Sequence, residues 1–248
     1  MAPKLQYIKG RRIRVFAGPN GSGKTTILKQ IDSRFDLGYY INADEIELEI
    51  SKSGQFDLGK FGISEANSRG LKSLIPKHSI YKKAHKDGYA FDLKIEGTTV
   101  INPDQKTHSY EAALLADLIR NVLLESGSKF SFETVMSHPA KVDFLNSSSK
   151  KGYKNYLYFI STESPLINKE RVKQRVELGG HPVDPIKIEE RYYRSLELLS
   201  DAISKTYRTF IFDNSKNAPT LILEIFKGTE VEFKHNLVPA WVDEYVLR

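Results

Sequence analysis

A glycine-rich segment near the start of the chain carries the residue types that hold phosphate groups. Gly18, Gly23, Lys24 and Thr25 fit the spacing G-x-x-x-x-G-K-T, directly after the mainly apolar segment 13–17. Glycines let successive backbone N–H groups face a phosphate, and a following helix adds the positive end of its dipole. The pattern predicts a P-loop. The predicted nucleotide-binding residues are Gly18, Pro19, Asn20, Gly21, Ser22, Gly23, Lys24, Thr25 and Thr26.

Two side chains of this loop are candidates for direct action on the phosphates. The Lys24 ammonium is expected to reach the β- and γ-phosphates, which makes it a candidate catalytic residue. The Thr25 hydroxyl is expected to ligate the magnesium ion that bridges those phosphates. The motif therefore predicts ATP and Mg2+ as cofactors.

An acidic residue follows the next short apolar segment. Residues 39–42 predict a strand, and Asp44 comes just after it. A carboxylate at a strand's carboxyl end, beside the γ-phosphate, could accept the proton of an attacking hydroxyl, as in kinase catalytic loops. Asp44 is the candidate general base. The alternative is a helix N-cap, a position that aspartate favours, and both roles can coexist.

A second carboxylate ends the strand predicted over residues 130–132. Glu133 and Thr134 lie at the rim of the same sheet face, where substrate contacts are expected. Glu133 either accepts hydrogen bonds from a substrate's hydroxyls or helps to hold magnesium, as acidic residues at this strand do in many P-loop enzymes. A purely structural carboxylate is the third interpretation.

A basic segment contains Arg171 and Arg175, four residues apart on a helix predicted to end at Gly179 and Gly180. Like charges at that spacing oppose the helix, and a bound anion between them would reverse the effect. Arg175 is the candidate for stabilising charge on the moving phosphoryl group. The alternative is a solvated face paired to nearby glutamates. Further candidate substrate contacts are Arg171, His181 and Arg191, with Arg194 as another arginine of the next helix.

Weaker signals come from two histidines and one turn. His138 and His181 do not pair at metal-ligand spacing, so zinc is not expected, and they are interpreted as polar contacts or packing residues. Residues 212–215 follow the last predicted parallel strand. They either border the adenine or serve the turn, for which Asp and Asn are common.

The elements that must position these residues are short apolar strands between helices. Aromatic and β-branched runs bounded by turn residues predict buried parallel strands at residues 13–17, 39–42, 130–132, 156–160 and 209–212. Helical spacing predicts helices at residues 110–125 and from Asp184 to about Ser204. This alternation predicts an α/β, P-loop kinase-type three-layer fold with a five-stranded, mainly parallel sheet.

The domain organisation follows from where the alternation breaks. Residues 1–248 are expected to form a single P-loop domain. Residues 51–108 interrupt the rhythm after the second strand and are interpreted as an insertion, with a hairpin around Glu96 and Gly97. Residues 218–248 predict a C-terminal β-hairpin and a short helix containing Trp241.

Composition limits the setting and the partners. The 248 residues include no cysteine, which removes disulfides and thiolate chemistry and fits a reducing compartment. The first residues lack the apolar run of a signal peptide and no segment approaches bilayer length, so a cytoplasmic protein without membrane contact is expected. The net charge of +6 suits polyanionic nucleotides as well as nucleic acid. Because the lysines are scattered, nucleic acid is not the expected partner.

Four segments resemble the zeta-toxin group of small-molecule kinases: GPNGSGKTT, NADEI, FETVMSH and RVKQRVELGGHPVDPIKIEERYYRSL. The resemblance implies ATP-dependent phosphorylation of a hydroxyl on UDP-N-acetylglucosamine, and an antitoxin as partner. It implies Asp44 as base, Glu133 as substrate-binding glutamate and Arg175 as the arginine that neutralises the transferring phosphate. The second catalytic arginine of the toxins has no unambiguous counterpart.

The motifs and the composition are compatible with two functions. The first is an ATP-dependent kinase that transfers the γ-phosphoryl group to a hydroxyl of a small, nucleotide-linked acceptor. The second is a P-loop ATPase switch or partner-binding module that acts on protein or nucleic acid. The chain lacks a long strand ending in adjacent acids, a feature expected of such switches, so the kinase is favoured.

Overall fold

Strands rich in aromatic and β-branched residues alternate with helices along the chain. The computed structural model describes residues 10–103, 105–180 and 182–248. The strands within these residues are β1 Arg12–Ala17, β2 Tyr39–Ile41, β3 Gln55–Asp57, β4 Lys94–Glu96, β5 Thr99–Ile101, β6 Phe130–Thr134, β7 Lys154–Ser161, β8 Arg208–Asp213, β9 Thr220–Phe226 and β10 Glu230–Phe233. All five predicted strands are present.

Helices separate most of these strands. They are α1 Lys24–Asp32, α2 Ala43–Ser53, α3 Glu65–Leu74, α4 Ser79–Lys86, α5 Ser109–Ser126, α6 Ala140–Lys150, α7 Pro165–Glu177, α8 Pro185–Glu197, α9 Leu199–Ile203 and α10 Ala240–Val242. Short 3-10 turns lie at Leu58–Phe61 and Ile75–Lys77, and a π-helical turn at Asp243–Leu247 ends the chain.

The larger sheet has seven strands, in the order β10-β9-β8-β7-β1-β6-β2, and the prediction of five strands was wrong. The difference arises because the C-terminal hairpin does not stand apart. Strand β9 pairs antiparallel with β8, with Ile211 opposite Leu223, and β10 pairs antiparallel with β9. The hairpin therefore extends the sheet, while β1, β6, β7 and β8 form its parallel part.

Parallel register brings the carboxyl ends of four strands to one edge. Ala17 at the end of β1 lies opposite Thr134 of β6 and Phe159 of β7. Ser161 at the end of β7 lies opposite Asp213 of β8. In parallel sheets ligands bind at this edge, so the candidate site residues that follow these strands share one location.

The chain divides into two units, Met1–Gly38 with Lys129–Arg248 and Tyr39–Ser128. In the first unit, strand alternation sends Phe16 and Tyr158 to one sheet face, where they pack with Ile27 of α1. Phe132 and Phe159 contact aromatic rings of other helices, namely Phe144 of α6 and Trp241 of α10. Helices thus cover both faces of the sheet. Successive residues of a central strand point to opposite faces, and apolar side chains occupy both.

The second unit contains β2, α2, α5 and the smaller elements between them. Its own sheet has three antiparallel strands in the order β3-β5-β4, and the hairpin predicted around Glu96 and Gly97 is the β4–β5 connection. Helix α5 matches the prediction for residues 110–125. The unit includes more of the sequence than the predicted insertion of residues 51–108. The single-domain organisation stays a prediction.

The helix expected from Asp184 to about Ser204 is two helices. Helix α8 ends at Glu197 and α9 begins at Leu199. Leu198 between them lies in the right-handed helical region, but its ψ of −5° is far from the usual value near −42°, and the helix is interrupted there. In the described part of the chain, no helix combines the length and the apolar character that crossing a bilayer requires.

Candidate active site

The P-loop lies in the turn between β1 and α1, as the motif predicts. Gly18 N donates to Thr134 O over 3.2 Å, which fixes the loop's entry to the end of β6. Ser22 N donates to Pro19 O over 3.2 Å, which closes a turn inside the loop. Gly23 is the N-cap residue of α1. Strand, glycine loop and helix therefore follow in the order that phosphate binding requires.

The Lys24 side chain bends back over this loop. Its Nζ donates to Gly18 O and Pro19 O, each over 3.0 Å. The ammonium therefore lies against the first two residues of the loop, although Lys24 is itself the first residue of α1. Lys24 therefore places a positive charge where the P-loop interpretation expects one.

Two glycines of the loop permit close backbone approach. Gly21 has a φ of 78°, and a Cβ there would lie 2.6 Å from Asn168 O. Gly23 has a φ of 94°, and a Cβ there would lie 2.3 Å from Asn214 Nδ2. Only glycine can take these positive φ angles without strain and also leave room for the neighbouring atoms.

Two buried asparagines hold the loop, and motif reasoning did not assign them this role. Asn168 Nδ2 donates to Asn20 O over 2.6 Å, and Asn214 Nδ2 donates to Ser22 O over 2.8 Å. A sequence signal for the first existed: Asn168 lies four residues before the apolar Val172, on the buried face of α7. Asn214 lies in the segment that was interpreted as an adenine border or a turn.

Glu133 and Thr134 lie at the end of β6, close to the start of α1. Thr25 Oγ1 donates to Glu133 Oε1 over 3.4 Å, so the predicted magnesium ligand and this carboxylate are in contact. Thr134 Oγ1 accepts a hydrogen bond from Met136 N over 3.0 Å, and Met136 has a φ of 56°. The Thr134 hydroxyl therefore shapes the turn after β6, and its substrate contact stays a prediction.

The candidate arginines lie in different settings. Arg171 donates from Nη1 to Asn214 O over 2.8 Å and from Nη2 to Lys216 O over 3.1 Å. Arg175 is exposed in the last turn of α7. Arg191 is half-buried on α8. Arg194 forms an exposed ion pair with Glu190 over 3.2 Å, as the alternative of a solvated helix face paired to glutamates predicts.

Asp44 lies in the second unit, in the first turn of α2. Asn42 is the N-cap residue, because its Oδ1 accepts from Asp44 N over 2.9 Å. The alternative that Asp44 itself caps the helix was therefore wrong. Its carboxylate is exposed, at a helix start where a negative charge is favoured. The base role stays a prediction.

The two histidines and the turn after β8 contribute less. His138 is exposed and its Nδ1 accepts from Ala140 N over 3.2 Å, a local turn contact. His181 lies outside the described residues. Asp213 accepts from Trp241 Nε1 over 2.9 Å and from Ser215 Oγ over 2.7 Å, so this carboxylate stabilises the turn. Within the described ranges, His, Asp and Glu side chains form no group of three that could hold a metal.

The loop fits a polyphosphate group. Helix α1 has no side-chain hydrogen bond at its N-cap Gly23 and no acidic residue in its first turn, which keeps its own negative charges away from the positive end of the helix dipole. The Ser22 hydroxyl is fully buried and has no hydrogen-bond partner among the described residues. These features, with the close glycine turns, suit phosphate oxygens. Thr25 and Glu133 supply the oxygen atoms that Mg2+ prefers.

Comparison with known proteins adds a structural likeness. No family model matches the chain, and no curated protein matches it. The crystal structure of AvrRxo1-ORF1:AvrRxo1-ORF2 with sulphate ions is similar at a TM-score of 0.52 and 15% identity, covering 90% of this chain and 61% of that chain. The AvrRxo1-ORF1:-ORF2 structure with ATP is similar at a TM-score of 0.51 and 15% identity, covering 93% and 61%.

A third similar structure comes from the PezAT chromosomal toxin-antitoxin system of Streptococcus pneumoniae, at a TM-score of 0.49 and 13% identity, covering 98% of this chain and 81% of that chain. The first two likenesses show that this chain has the same α/β fold as the AvrRxo1 protein. The chain spans 61% of the length of those AvrRxo1 chains.

Proposed function

We propose that the protein is an ATP-dependent kinase that transfers the γ-phosphoryl group to a hydroxyl of a small, nucleotide-linked acceptor. The observation that carries the proposal is the complete P-loop at the carboxyl end of β1, with Lys24 folded over the loop and Glu133 in contact with Thr25. The AvrRxo1 structure that contains ATP supports the choice of nucleotide.

The loop residues bind and orient the triphosphate in this proposal. Backbone N–H groups of the loop and the Lys24 ammonium neutralise phosphate oxygens. The Thr25 hydroxyl donates a hydrogen bond to Glu133, which leaves the hydroxyl lone pairs for a cation. Bound Mg2+ would supply charge neutralisation between the β- and γ-phosphates. Because a carboxylate has two oxygens, Glu133 can orient Thr25 and also accept a hydrogen bond from the acceptor.

Asp44 is proposed as the general base that accepts the proton of the attacking hydroxyl. Its support is chemical and local: an exposed carboxylate, three residues after β2, held in the first turn of α2 by the Asn42 cap. The resemblance of NADEI to the zeta-toxin motif points to the same residue. An ionised carboxylate is the form that a base requires.

Arg175 is proposed to neutralise charge on the transferring phosphoryl group, and Arg191 and Thr134 to contact the acceptor. His181, also predicted to contact the acceptor, is retained on the sequence prediction of a polar contact alone. For Arg171, two of the five guanidinium N–H donors are used on Asn214 O and Lys216 O. The remaining donors allow the substrate contact that was predicted.

The zeta-toxin resemblance makes UDP-N-acetylglucosamine the first acceptor to test and a cytoplasmic antitoxin the proposed protein partner. The AvrRxo1 structures support the partner only as an analogy, because they pair ORF1 with ORF2. Expression in a bacterial host is expected to arrest growth, and the Lys24→Ala variant to relieve the arrest. Equal harm from both would separate any toxicity from phosphoryl transfer.

The experiment that tests the proposal follows the γ-phosphate. The protein is incubated with γ-labelled ATP, Mg2+ and a panel of nucleotide-sugars and nucleosides. We expect label on one acceptor with the wild-type chain and none with Lys24→Ala. Label that appears only in free phosphate, and rises on addition of a protein or nucleic acid, would instead identify an ATPase switch.

A further inference from the structure

We propose that Asn168 and Asn214 are positioning residues that fix two peptide planes of the P-loop and so preset its N–H groups for the phosphates. The inference rests on the proposed function for the identity of the ligand. It concerns residues that the P-loop motif does not contain.

Asn168 lies on α7 and is fully buried. Its Nδ2 donates to Asn20 O over 2.6 Å, and its Oδ1 accepts from the Thr162 hydroxyl. Both ends of the amide are therefore engaged, which fixes the orientation of the side chain. The backbone of the same residue lies against Gly21.

Asn214 lies directly after β8 and is almost fully buried. Its Nδ2 donates to Ser22 O over 2.8 Å, and its backbone N donates to Ser161 O over 2.8 Å. Its backbone O accepts from Arg171 Nη1 over 2.8 Å. The backbone of Asn214 is thus held by the sheet on one side and by α7 on the other, which places its side chain against Ser22 O.

The geometry of the peptide bond links these contacts to phosphate binding. In a trans peptide the C=O and the following N–H point in opposite directions. Because Asn20 O faces Asn168, the N–H of Gly21 points away from Asn168. Because Ser22 O faces Asn214, the N–H of Gly23 points away from Asn214. Positive φ angles of 78° and 94° at these glycines accompany the two orientations.

The contacts form a closed circuit of three segments. Helix α7 contacts the P-loop through Asn168 and the turn after β8 through Arg171, and that turn contacts the P-loop through Asn214. A circuit resists the rotation of any one peptide plane, since each segment is held by the other two. It also ties α7, which carries Arg175, to the loop.

The test compares ATP binding of Asn168→Ala and Asn214→Ala with that of the wild-type chain by calorimetry. A matched control is Asn155→Ala: Asn155 is fully buried in the same unit and its Nδ2 donates to Leu145 O and Lys205 O, away from the P-loop. We expect ATP dissociation constants raised about tenfold in each P-loop variant and unchanged in the control, although all three lose stability.

A second readout needs no nucleotide. The NMR order parameter of the Gly21 amide is expected to fall in Asn168→Ala, and that of the Gly23 amide in Asn214→Ala, with neither changed in Asn155→Ala. Should an alanine variant fail to fold, Asn168→Asp or Asn214→Asp keeps the shape of the side chain and lacks the Nδ2 donor. These aspartate variants are compared by the order parameters alone.

The outcomes separate this inference from the kinase proposal. Wild-type affinity for ATP and wild-type order parameters in both variants would overturn the positioning role and leave the kinase proposal intact. Weakened ATP binding as expected, in a protein that phosphorylates no acceptor, would overturn the kinase proposal and support the positioning role. A wild-type chain that binds no ATP would overturn both.

Discussion

Thr25 Oγ1 donates a hydrogen bond to Glu133 Oε1 over 3.4 Å, which joins the first turn of α1 to the end of β6. The parallel pairing of β1 with β6 creates this contact, because it places Ala17 opposite Thr134 and so brings the two strand ends together. A hydroxyl and a carboxylate at the mouth of a P-loop are suited to a hydrated cation and to an acceptor hydroxyl.

Replacement of Glu133 by glutamine tests which partner the carboxylate serves. The variant keeps the shape and removes the charge. We expect the acceptor KM to rise about tenfold, because a hydrogen bond to a charged group is lost, while the ATP dissociation constant stays the same. Steady-state kinetics at several Mg2+ concentrations provide the measurement. An unchanged acceptor KM together with a higher Mg2+ requirement would assign the carboxylate to the metal alone.

Removal of the Lys24 side chain tests the nucleotide site. We expect Lys24→Ala to bind ATP roughly ten- to hundredfold more weakly, because a charged hydrogen-bond donor to the phosphates is lost. Lys29→Ala is the control, since Lys29 is exposed in the last turn of the same helix. Equal affinities of the two variants for ATP would contradict the role of Lys24.

The N-cap of α2 sets the stability of the helix that carries Asp44. Asn42→Ala is expected to lower the free energy of unfolding by about 1 kcal/mol, because the Asp44 N–H loses its side-chain acceptor. Asn42→Asp keeps an accepting oxygen and should come close to the wild type. Denaturant titrations measure both. If Asn42→Asp lowers the free energy of unfolding as much as Asn42→Ala does, the lost cap hydrogen bond is not the cause of the destabilisation.

The Asp36 carboxylate gives a pH-dependent contribution. The hydrogen bond from Lys129, helped by the Gly38 N–H at 2.8 Å, holds the pKa of Asp36 below its usual range. A lowered folded-state pKa means stabilisation above the unfolded-state pKa and loss of it as pH falls through the folded-state pKa. In an NMR titration, Lys129→Met should raise the Asp36 pKa. An unmoved pKa would show that Lys129 does not lower it.

Sequence patterns predicted the local parts of the fold well. Each of the five parallel-type strands is a short apolar run bounded by turn residues, and each exists in the structure. The place of the C-terminal hairpin was not predictable, because the pairing of Leu223 with Ile211 depends on which sheet edge is free. The break at Leu198 carries no glycine or proline signal.

The site shows the same division between local and distant relationships. The P-loop is contiguous, so its spacing alone identified it. Asn168 reaches Asn20 across 148 positions of sequence, and a single buried asparagine on a helix has many structural explanations. Arg171 was predicted from its charge and spacing, but its hydrogen bonds to Asn214 O and Lys216 O follow from the packing of α7.

The most direct test of the central claim is the rate of γ-phosphoryl transfer to the acceptor in Asp44→Asn, beside the neighbouring control Glu45→Gln. We expect the asparagine variant to bind ATP as the wild type does and to transfer at least about a hundredfold more slowly, with the control near the wild-type rate. Transfer at the full rate by Asp44→Asn would contradict the claim that this carboxylate accepts the proton of the attacking hydroxyl.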